Sequence, residues 1–425
     1  MPQTPPESNP QLGIVLEHTP DRKPHRPGDT VSGRVYRTAA GVAPEAKVIV
    51  TLHGRSKCKI TKSTGQSSQS YRSSFNCLTA PVETQVLLSR TPLHIPAGSA
   101  GESWPFAITI PPLVSDVRNE WQVKYYAAPG GTPETLFPPP ATFQIQDESF
   151  IQGKEWQAFT EYYVRARIEI WHRHKGYSHT ATAPFLLRNV HPGPPITEFS
   201  MRASTIQHTV SAYRLVPGVT ELSFGQKTRQ KLGSHKVPKL TFKVTVFLPR
   251  TLQMENTNII PVTLVIASVS QLTSEIVQDV PQEIILKSFR LRVKPRTTVQ
   301  AERHGASKSS AEVSCVPSSG AMRLLGQQIC MPVTPGSGVE STPLDLGEIL
   351  GIRTPERGIY PDFLTYNIVH KHELIWGLDG SVAGQDFSLS SSTYSVKILP
   401  GPGGPGEEEL PGYSRGKDAP PAYSG

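Results

Sequence analysis

The feature that most constrains this chain is a period-two alternation of apolar and polar residues that recurs along its length. In Leu240–Leu248, every second residue is apolar, while Thr241, Lys243 and Thr245 occupy the positions between them. Successive side chains of a strand point to opposite faces, so this pattern predicts a half-buried β-strand. The same alternation occurs in Lys47–His53, Phe106–Ile110, Tyr162–Trp171, Glu283–Val293, Ile368–Trp376 and Tyr394–Ile398.

Proline usage points to the same class of fold. The chain has 41 prolines in 425 residues, about twice the usual share, and proline at this density excludes a helical bundle. No Gly-X-Y period is present, which excludes collagen. Many strands without βα alternation favour an all-β protein built from antiparallel, immunoglobulin-like β-sandwich domains. One short helix is expected over Glu83–Ser89.

Two Pro/Gly-rich breaks divide the chain. Residues 189–196 contain three prolines and a glycine, which is typical of an interdomain linker, and residues 401–425 contain seven glycines and five prolines. The predicted organisation is therefore a disordered N-terminus (1–10), an N-terminal sandwich (11–188), a linker (189–197), a C-terminal sandwich (198–400) and a disordered C-terminal tail (401–425). The Ser-, Gly- and Pro-rich stretch Ala301–Gly338 is expected to form a long loop.

Charge and cysteine content indicate the cellular compartment and the kind of partner to expect. The formal net charge is +8, which suits an acidic partner surface or an anionic membrane but is too small to indicate nucleic acid. The four cysteines lack zinc-site spacing and are expected to be free thiols in a reducing, cytoplasmic compartment: Cys58, Cys77, Cys315 and Cys330. The most apolar segment, Ile259–Val269, is shorter than the roughly 20 residues that a membrane helix needs. No cofactor or metal is expected.

Several segments carry a resemblance to a known family. They are Arg26–Val35, Lys47–Gly54, Ile95–Gly98, Trp104–Pro111, Glu161–Ala166 and Pro361–Ile368. In order and spacing they resemble the arrestin superfamily, and especially the fungal arrestin-like (alpha-arrestin) proteins, over about residues 10–400. The physical requirements of the first segment are plain. Pro27-Gly28-Asp29 suits a tight turn, and Gly33 suits a strand that passes close to its neighbour.

The C-terminal tail contains a PPxY motif, Pro420-Pro421-Ala422-Tyr423. Pro-rich peptides pre-form a polyproline II helix, and in this motif Pro420, Pro421 and Tyr423 fit the aromatic groove of a WW domain. Leu410-Pro411-Gly412-Tyr413 is a variant without the first proline. Leu410, Pro411 and Tyr413 are therefore expected to give a second, weaker site that adds avidity for a ligase with several WW domains.

A basic stripe is the candidate cargo-binding surface. Arg290, Arg292, Lys294 and Arg296 recur at every second position, so on a strand they project from one face. They could bind an acidic or phosphorylated segment. A solvated outer face is the favoured interpretation. A second and weaker candidate is a cluster of five cations: Lys227, Arg229, Lys231, Lys236 and Lys239.

Two His-x-His pairs have spacing that a metal site would use. His172/His174 and His370/His372 each share one face of a strand, but no carboxylate joins them at matching positions. Ordinary histidines at the edge of a core are the favoured interpretation. The glycine pattern at 401–406 precedes no helix and carries two prolines, so it does not predict a dinucleotide site.

The resemblance implies a trafficking adaptor rather than an enzyme. Such a protein links the cytosolic segments of plasma-membrane transporters or receptors to a WW-domain HECT ubiquitin ligase, and is recruited peripherally to the plasma membrane or endosomes. The alternative is an arrestin-fold scaffold of the retromer type, which recruits no ligase. A third alternative, an enzyme on a sandwich fold, would need a deep pocket with convergent polar groups.

Overall fold

A computed structural model describes residues 4–17, 24–64, 67–78, 84–116, 122, 126, 135–147, 154–172, 175–318, 327–331, 333 and 340–402. The strands, in chain order, are β1 (Gly13–Leu16), β2 (Thr30–Arg37), β3 (Gly41–Thr64), β4 (Ser67–Asn76), β5 (Thr84–Ile95), β6 (Glu102–Thr109), β7 (Phe143–Asp147), β8 (Lys154–His172), β9 (Lys175–Phe185), β10 (Met201–Ser211), β11 (Lys239–Pro249), β12 (Thr251–Gln253), β13 (Thr263–Ser268), β14 (Gln282–Ala301), β15 (His304–Ser309), β16 (Val313–Ser314), β17 (Gln327–Met331), β18 (Leu344–Asp345), β19 (Phe363–Leu364), β20 (Ile368–Val382), β21 (Gln385–Ser390) and β22 (Tyr394–Leu399).

Helical structure is sparse beside these strands. The helices with described bounds are α1 (Phe224–Lys231), α2 (Leu346–Leu350) and three 3-10 turns at Tyr213–Leu215, Ser270–Leu272 and Glu275–Val277. Within the described ranges, no helix has the length and apolar character needed to cross a membrane. The predicted all-β, antiparallel sandwich class is confirmed.

The N-terminal half folds around two sheets. A three-stranded sheet has the order β1-β2-β6, and a six-stranded sheet has β3 and β8 at its centre, with β4 and β5 along β3 and with β7 and β9 along β8. Apolar residues from both sheets, such as Val31 and Phe106 from the first and Val48 and Val164 from the second, share one buried core. We call this layered unit the first sandwich.

The C-terminal half repeats the arrangement with different strands. A four-stranded sheet, β10-β11-β13-β18, packs on a nine-stranded sheet built around β14 and β20. The core of this second sandwich includes the fully buried Phe242 and Trp376. The indole Nε1 of Trp376 donates to Ser204 Oγ at 2.8 Å, so the largest buried side chain keeps a hydrogen-bond partner.

The predicted strand Leu240–Leu248 is confirmed on its apolar face, since all five of its even-numbered residues are fully buried on β11, but Thr241 on the other face is buried as well. Two other expectations are wrong. Thr84–Ser89, within the expected short helix, belongs to strand β5 because its backbone pairs with β3, while Glu83 lies outside the described residues. Tertiary pairing has overridden a weak local preference.

The expected long loop Ala301–Gly338 is also partly wrong. Its beginning forms a hairpin, because β15 pairs with β14 from Arg296↔Ser309 to Ala301↔His304, and β16 and β17 pair with β14 as well. β15 alternates between half-buried and exposed residues with no fully buried face, so its sequence shows no apolar period. Residues 319–326 and 334–338 lie outside the described part.

The predicted boundaries at 11–188, 189–197 and 198–400 stay predictions, but two segments have defined contacts. Thr182 exchanges two backbone hydrogen bonds of 2.9 Å with Glu7, although 1–10 was expected to be disordered. In the expected linker, the carbonyl of Ile196 accepts bonds from Asn256 and Asn258. Hydrogen bonds to their backbone groups therefore attach both segments to a sandwich.

The N-terminal residues also contact a buried charge. Glu161 is fully buried and pairs with Arg55 at 2.5 Å, and its second carboxylate oxygen accepts the Thr4 backbone N–H at 2.6 Å. A buried carboxylate needs this kind of full satisfaction. Residue 161 begins one of the family-like segments, and the next residue, Tyr162, donates its buried hydroxyl to the Pro140 carbonyl at 2.6 Å.

The turn and glycine of the first family-like segment behave as their sequence predicts. Gly28 has a φ of 96°, and Asp29 accepts the Arg26 N–H at 2.7 Å within the turn. A Cβ at Gly33 would collide with the carbonyl oxygen of Val15 and contact the ring of Phe106. Only glycine therefore allows β1 and β6 to approach β2 this closely.

We expect Gly33→Ala to lower the free energy of unfolding by about 1–3 kcal/mol, because the backbone at Val15 has to move. Gly225→Ala is the matched control, since a Cβ there meets no heavy atom within 4 Å and alanine favours its helix. Urea denaturation of both variants measures the difference. Equal stability of the two variants would contradict the close approach.

Candidate functional site: the seam between the sandwiches

The two sandwiches meet along a seam with its own apolar cluster. Cys58 and Ile60 of β3 and Trp156 of β8 are buried there against residues of the second sandwich, notably Val299 and Ile368. The seam halves of β3 and β8 lie beyond the part that covers the first core. Because strand side chains alternate, the continuing ladder presents apolar residues that the second sandwich buries.

A buried polar network lies beside this cluster. Ser56 Oγ donates to Asn367 Oδ1, and Asn367 Nδ2 donates to Ser73 Oγ at 2.9 Å. Thr365 Oγ1 also donates to Asn367 Oδ1, at 3.2 Å. Ser56, Thr365 and Asn367 are almost wholly inaccessible to solvent. Satisfied polar groups of this kind specify one arrangement of the packed surfaces.

Charged and aromatic pairs cross the rim of the seam. Lys308 pairs with Asp147 at 3.2 Å, and Arg188 pairs with Glu255 at 2.5 Å. Tyr126 Oη accepts the Glu302 backbone N–H at 2.6 Å. These partly exposed ion pairs contribute little individually, so the apolar cluster and the buried polar network dominate the contact.

The second His-x-His pair lies at the seam. His370 and His372 are 2% and 0% exposed, and their ring centroids are 4.8 Å apart. His372 Nδ1 donates to Asp362 at 2.7 Å, and His370 Nδ1 is hydrogen-bonded to Thr297 Oγ1 at 2.8 Å. Burial, followed by the neighbouring His372, lowers the pKa of His370 to about 3.

The histidines fit the core-edge interpretation, since each has a protein partner and an apolar neighbourhood. His370 packs against the rings of Phe143 and Phe363, with centroid distances of 5.1 and 5.6 Å. Among the described residues, no three His, Cys, Asp or Glu side chains come together as metal ligands would. His172 is exposed at the end of β8, and His174 lies outside the described residues.

A groove of about 610 Å³ opens at the same seam. β7, which is an edge strand of the described six-stranded sheet, lines the groove together with Tyr360 and Met254. Leu186 and Tyr360, which are 39% and 53% exposed, line it as large apolar side chains. The Gln146 carbonyl of β7 accepts a hydrogen bond from Lys308 Nζ at 3.2 Å, so the groove's exposed apolar side chains are what it presents to a ligand.

The basic stripe projects outward from β14, while the residues between its members face the core. Three of its cations have carboxylate partners on other segments: Arg290 pairs with Asp379 at 3.3 Å, Arg292 with Glu312 at 3.1 Å and Arg296 with Glu373 at 3.7 Å. Lys294 is half-buried. Most of the stripe's charge is therefore balanced within the sandwich.

The structure places the weaker basic cluster elsewhere, on α1, in the loop that follows it and at the start of β11, far along the sheet from the seam. The PPxY residues Pro420, Pro421 and Tyr423, and Leu410, Pro411 and Tyr413, lie outside the described residues. Among the described residues, none of the site residues predicted from the sequence lines the groove.

The cysteines are free, as expected, and Cys58, Cys77 and Cys315 are buried. Burial raises the pKa of Cys58 and of Cys315 to about 12, so these thiols are protonated and unreactive. Sequence reasoning missed the seam residues because their partners are distant in sequence. It also missed α1, although Ser223 and Gln226 carry the spacing of a capping box.

We expect the seam to make stability fall with acid. The unfolded chain protonates His370 near 6.5 and the folded chain only near 3, so stability is fully present above pH 6.5 and declines below it. Between pH 7.5 and pH 5 this histidine alone should remove about 2 kcal/mol. Denaturant unfolding at the two pH values measures this loss.

Between pH 7.5 and pH 5, His370→Gln should lose about 2 kcal/mol less stability than the natural chain, because it lacks this titrating histidine. His172→Gln, at an exposed histidine, is the control for replacing a histidine by glutamine as such. Other histidines with lowered pKa values, such as His53, contribute equally to all three proteins. An identical pH dependence of His370→Gln and the natural chain would refute the buried neutral imidazole.

Comparison with models of known protein families finds no match, and no curated protein matches this chain. The family resemblance therefore rests on the sequence segments named above.

Proposed function

We propose that this protein is an arrestin-like adaptor that links membrane cargo to a WW-domain HECT ubiquitin ligase. The observation that carries the proposal is Pro420-Pro421-Ala422-Tyr423, in a segment rich in glycine and proline. A WW domain binds this pattern through two proline contacts and one tyrosine contact. The chain itself performs no chemistry in this proposal.

The packing of the two sandwiches on one another supports the proposal. The seam combines an apolar cluster with a satisfied polar network, which supports one fixed arrangement of the two sandwiches. Binding a cargo segment and a ligase on one such scaffold raises the effective concentration of the ligase at the cargo. The ubiquitinated cargo, a plasma-membrane transporter or receptor, would then be internalised.

The groove is a better candidate for the cargo segment than the basic stripe. Arg290, Arg292 and Arg296 are already paired with carboxylates, so a ligand would have to displace those partners. The groove instead offers the exposed apolar side chains of Leu186 and Tyr360. A cytosolic segment with apolar side chains could bury them against these residues.

We expect a peptide of residues 401–425 to bind WW domains with micromolar or weaker affinity, because few atoms are buried and the flanks must be ordered. Tyr423→Ala should remove most of the affinity, and Pro420→Ala or Pro421→Ala nearly as much. Isothermal titration with single and tandem WW domains measures this. Tyr413→Ala is the matched control, since it should matter only for a tandem partner.

The same substitutions in the full chain test the cellular role. Tyr423→Ala should abolish ubiquitination of cargo that the full chain recruits, without changing its melting temperature. Unchanged ubiquitination together with unchanged WW binding would favour the scaffold of the retromer type instead. Loss of WW binding with cargo ubiquitination intact would show that the motif is functional but that another segment recruits the ligase.

A further inference from the structure

The end of the second sandwich that is remote from the seam exposes unusually large apolar side chains. Phe224 is 86% exposed and Leu232 is 79% exposed, the two highest values among the large hydrophobic residues of the described chain. Phe224 begins α1, and Leu232 immediately follows its last residue. A single exposed apolar residue is ordinary, but several large ones grouped at one end of a domain are typical of an interaction surface.

The helix and its C-cap place these residues four apart. Phe224 and Thr228 follow one another along one side of α1, and Leu232 caps the helix at the next position of that spacing. Lys227 and Lys231 lie next to Thr228 and Leu232 in the sequence. On the helix side turned toward the sandwich, Gln230 accepts the Tyr213 backbone N–H at 3.2 Å.

No residue of this helix is buried. A Cβ at Gly225, within the helix, would meet no heavy atom within 4 Å, and neither would one at Gly218 or Gly233 on either side of it. The helix nevertheless has a defined start, because Ser223 and Gln226 form a capping box with both hydrogen bonds present. Phe224 and Leu232 are therefore displayed on an ordered element.

A second exposed pair lies at the same end. Leu272 and Ile276 are 54% and 61% exposed in the two consecutive 3-10 turns. These turns are joined to the start of β11, because Lys239 N donates to Ser274 Oγ and Ser274 N donates to the Lys239 carbonyl, each at 2.9 Å. We call the exposed parts of residues 212–239 and 269–281 the distal face.

The distal face is positively charged. Its two segments contain six Lys or Arg residues and three Asp or Glu residues. Within the described chain, the five cations of the weaker basic cluster, Lys227, Arg229, Lys231, Lys236 and Lys239, have no ion pair. This is the reverse of the β14 stripe, whose arginines are paired. Unpaired cations remain available to an anionic partner.

We propose that the distal face docks on an anionic membrane surface. Phe224, Leu232, Leu272 and Ile276 would enter the interfacial layer of the bilayer, and the surrounding cations would lie among the anionic headgroups. Exposed apolar residues beside lysines and arginines bind such surfaces by combining insertion with electrostatic attraction. This inference does not depend on ligase recruitment or on the groove.

Two observations favour a lipid surface over a protein partner. The exposed apolar side chains stand on two separate segments, Phe224 with Leu232 and Leu272 with Ile276, and a stable protein interface needs a continuous area of about 800 Å² on each partner. A fluid interface instead accommodates each side chain separately. The charge of the face matches acidic lipids, which attract each basic residue near the surface.

Sedimentation of the full chain with phosphatidylcholine vesicles, with and without phosphatidylserine, tests the proposal. We expect binding to the phosphatidylserine vesicles, weak or no binding to neutral ones, and weaker binding as salt is raised. Phe224→Ser with Leu232→Ser, or Lys227→Glu with Lys231→Glu, should each lower the binding constant at least about tenfold. All four side chains are exposed, and unchanged melting temperatures would confirm intact folding.

Matched control variants on the first sandwich test whether the place of the substituted residues matters, and not only their type. Val42→Ser with Leu136→Ser removes exposed apolar side chains, and Arg34→Glu with Arg72→Glu makes the same charge change at exposed sites. Both controls should bind vesicles as the natural chain does. Insertion can be observed directly, since a Phe224→Trp variant should gain fluorescence that brominated lipids quench.

Three results would overturn the proposal. The first is an absence of binding to phosphatidylserine vesicles. The second is binding that the distal variants and the controls weaken equally. The third is concentration-dependent dimerisation, seen by light scattering, that Phe224→Ser with Leu232→Ser abolishes, because the face would then be covered by a second copy of the chain.

Discussion

The backbone ladder between β3 and β8 is the interaction on which the rest of the architecture depends. It runs without interruption from Glu45↔Trp171 to Lys62↔Lys154. One half closes the core of the first sandwich, and the other half carries Ile60 and Trp156 into the seam. Without a bulge, the side chains on one face of a ladder stay on that face along its whole length. The seam half of this face is apolar, so another part of the protein has to bury it.

The second sandwich supplies that cover through its own long pair, β14 and β20, whose ends contribute Val299 and Ile368. Contact between apolar surfaces alone would tolerate sliding of one sandwich on the other. The network around Asn367 does not, because any displacement would leave buried hydroxyl and amide groups without partners. The groove beside β7 is consequently a feature of the assembled seam and belongs to neither sandwich alone.

Much of the fold could be predicted because strands that cover a core carry their burial pattern in local sequence. β11 and β14 are examples, with apolar residues at alternate positions. β5 and β15 could not be identified this way, since pairing with β3 and β14 determines their structure. The candidate site likewise has features that local sequence predicts and features that depend on distant partners. The outward face of Arg290 was predictable, but its neutralisation by Asp379, far along the chain, was not.

The proposals also constrain one another by distance. β10 runs from Met201, beside the seam, to Ser211, at the distal face, a length of about 35 Å at the usual rise per residue. If the distal face lies on a bilayer, a cargo segment must extend at least partway along this strand to reach the groove. The described chain ends at Pro402, which pairs with His191 beside that groove. Fully extended, the segment from there to Tyr423 spans at most about 70 Å. A ligase bound at the motif would therefore operate within reach of both the groove and the membrane surface.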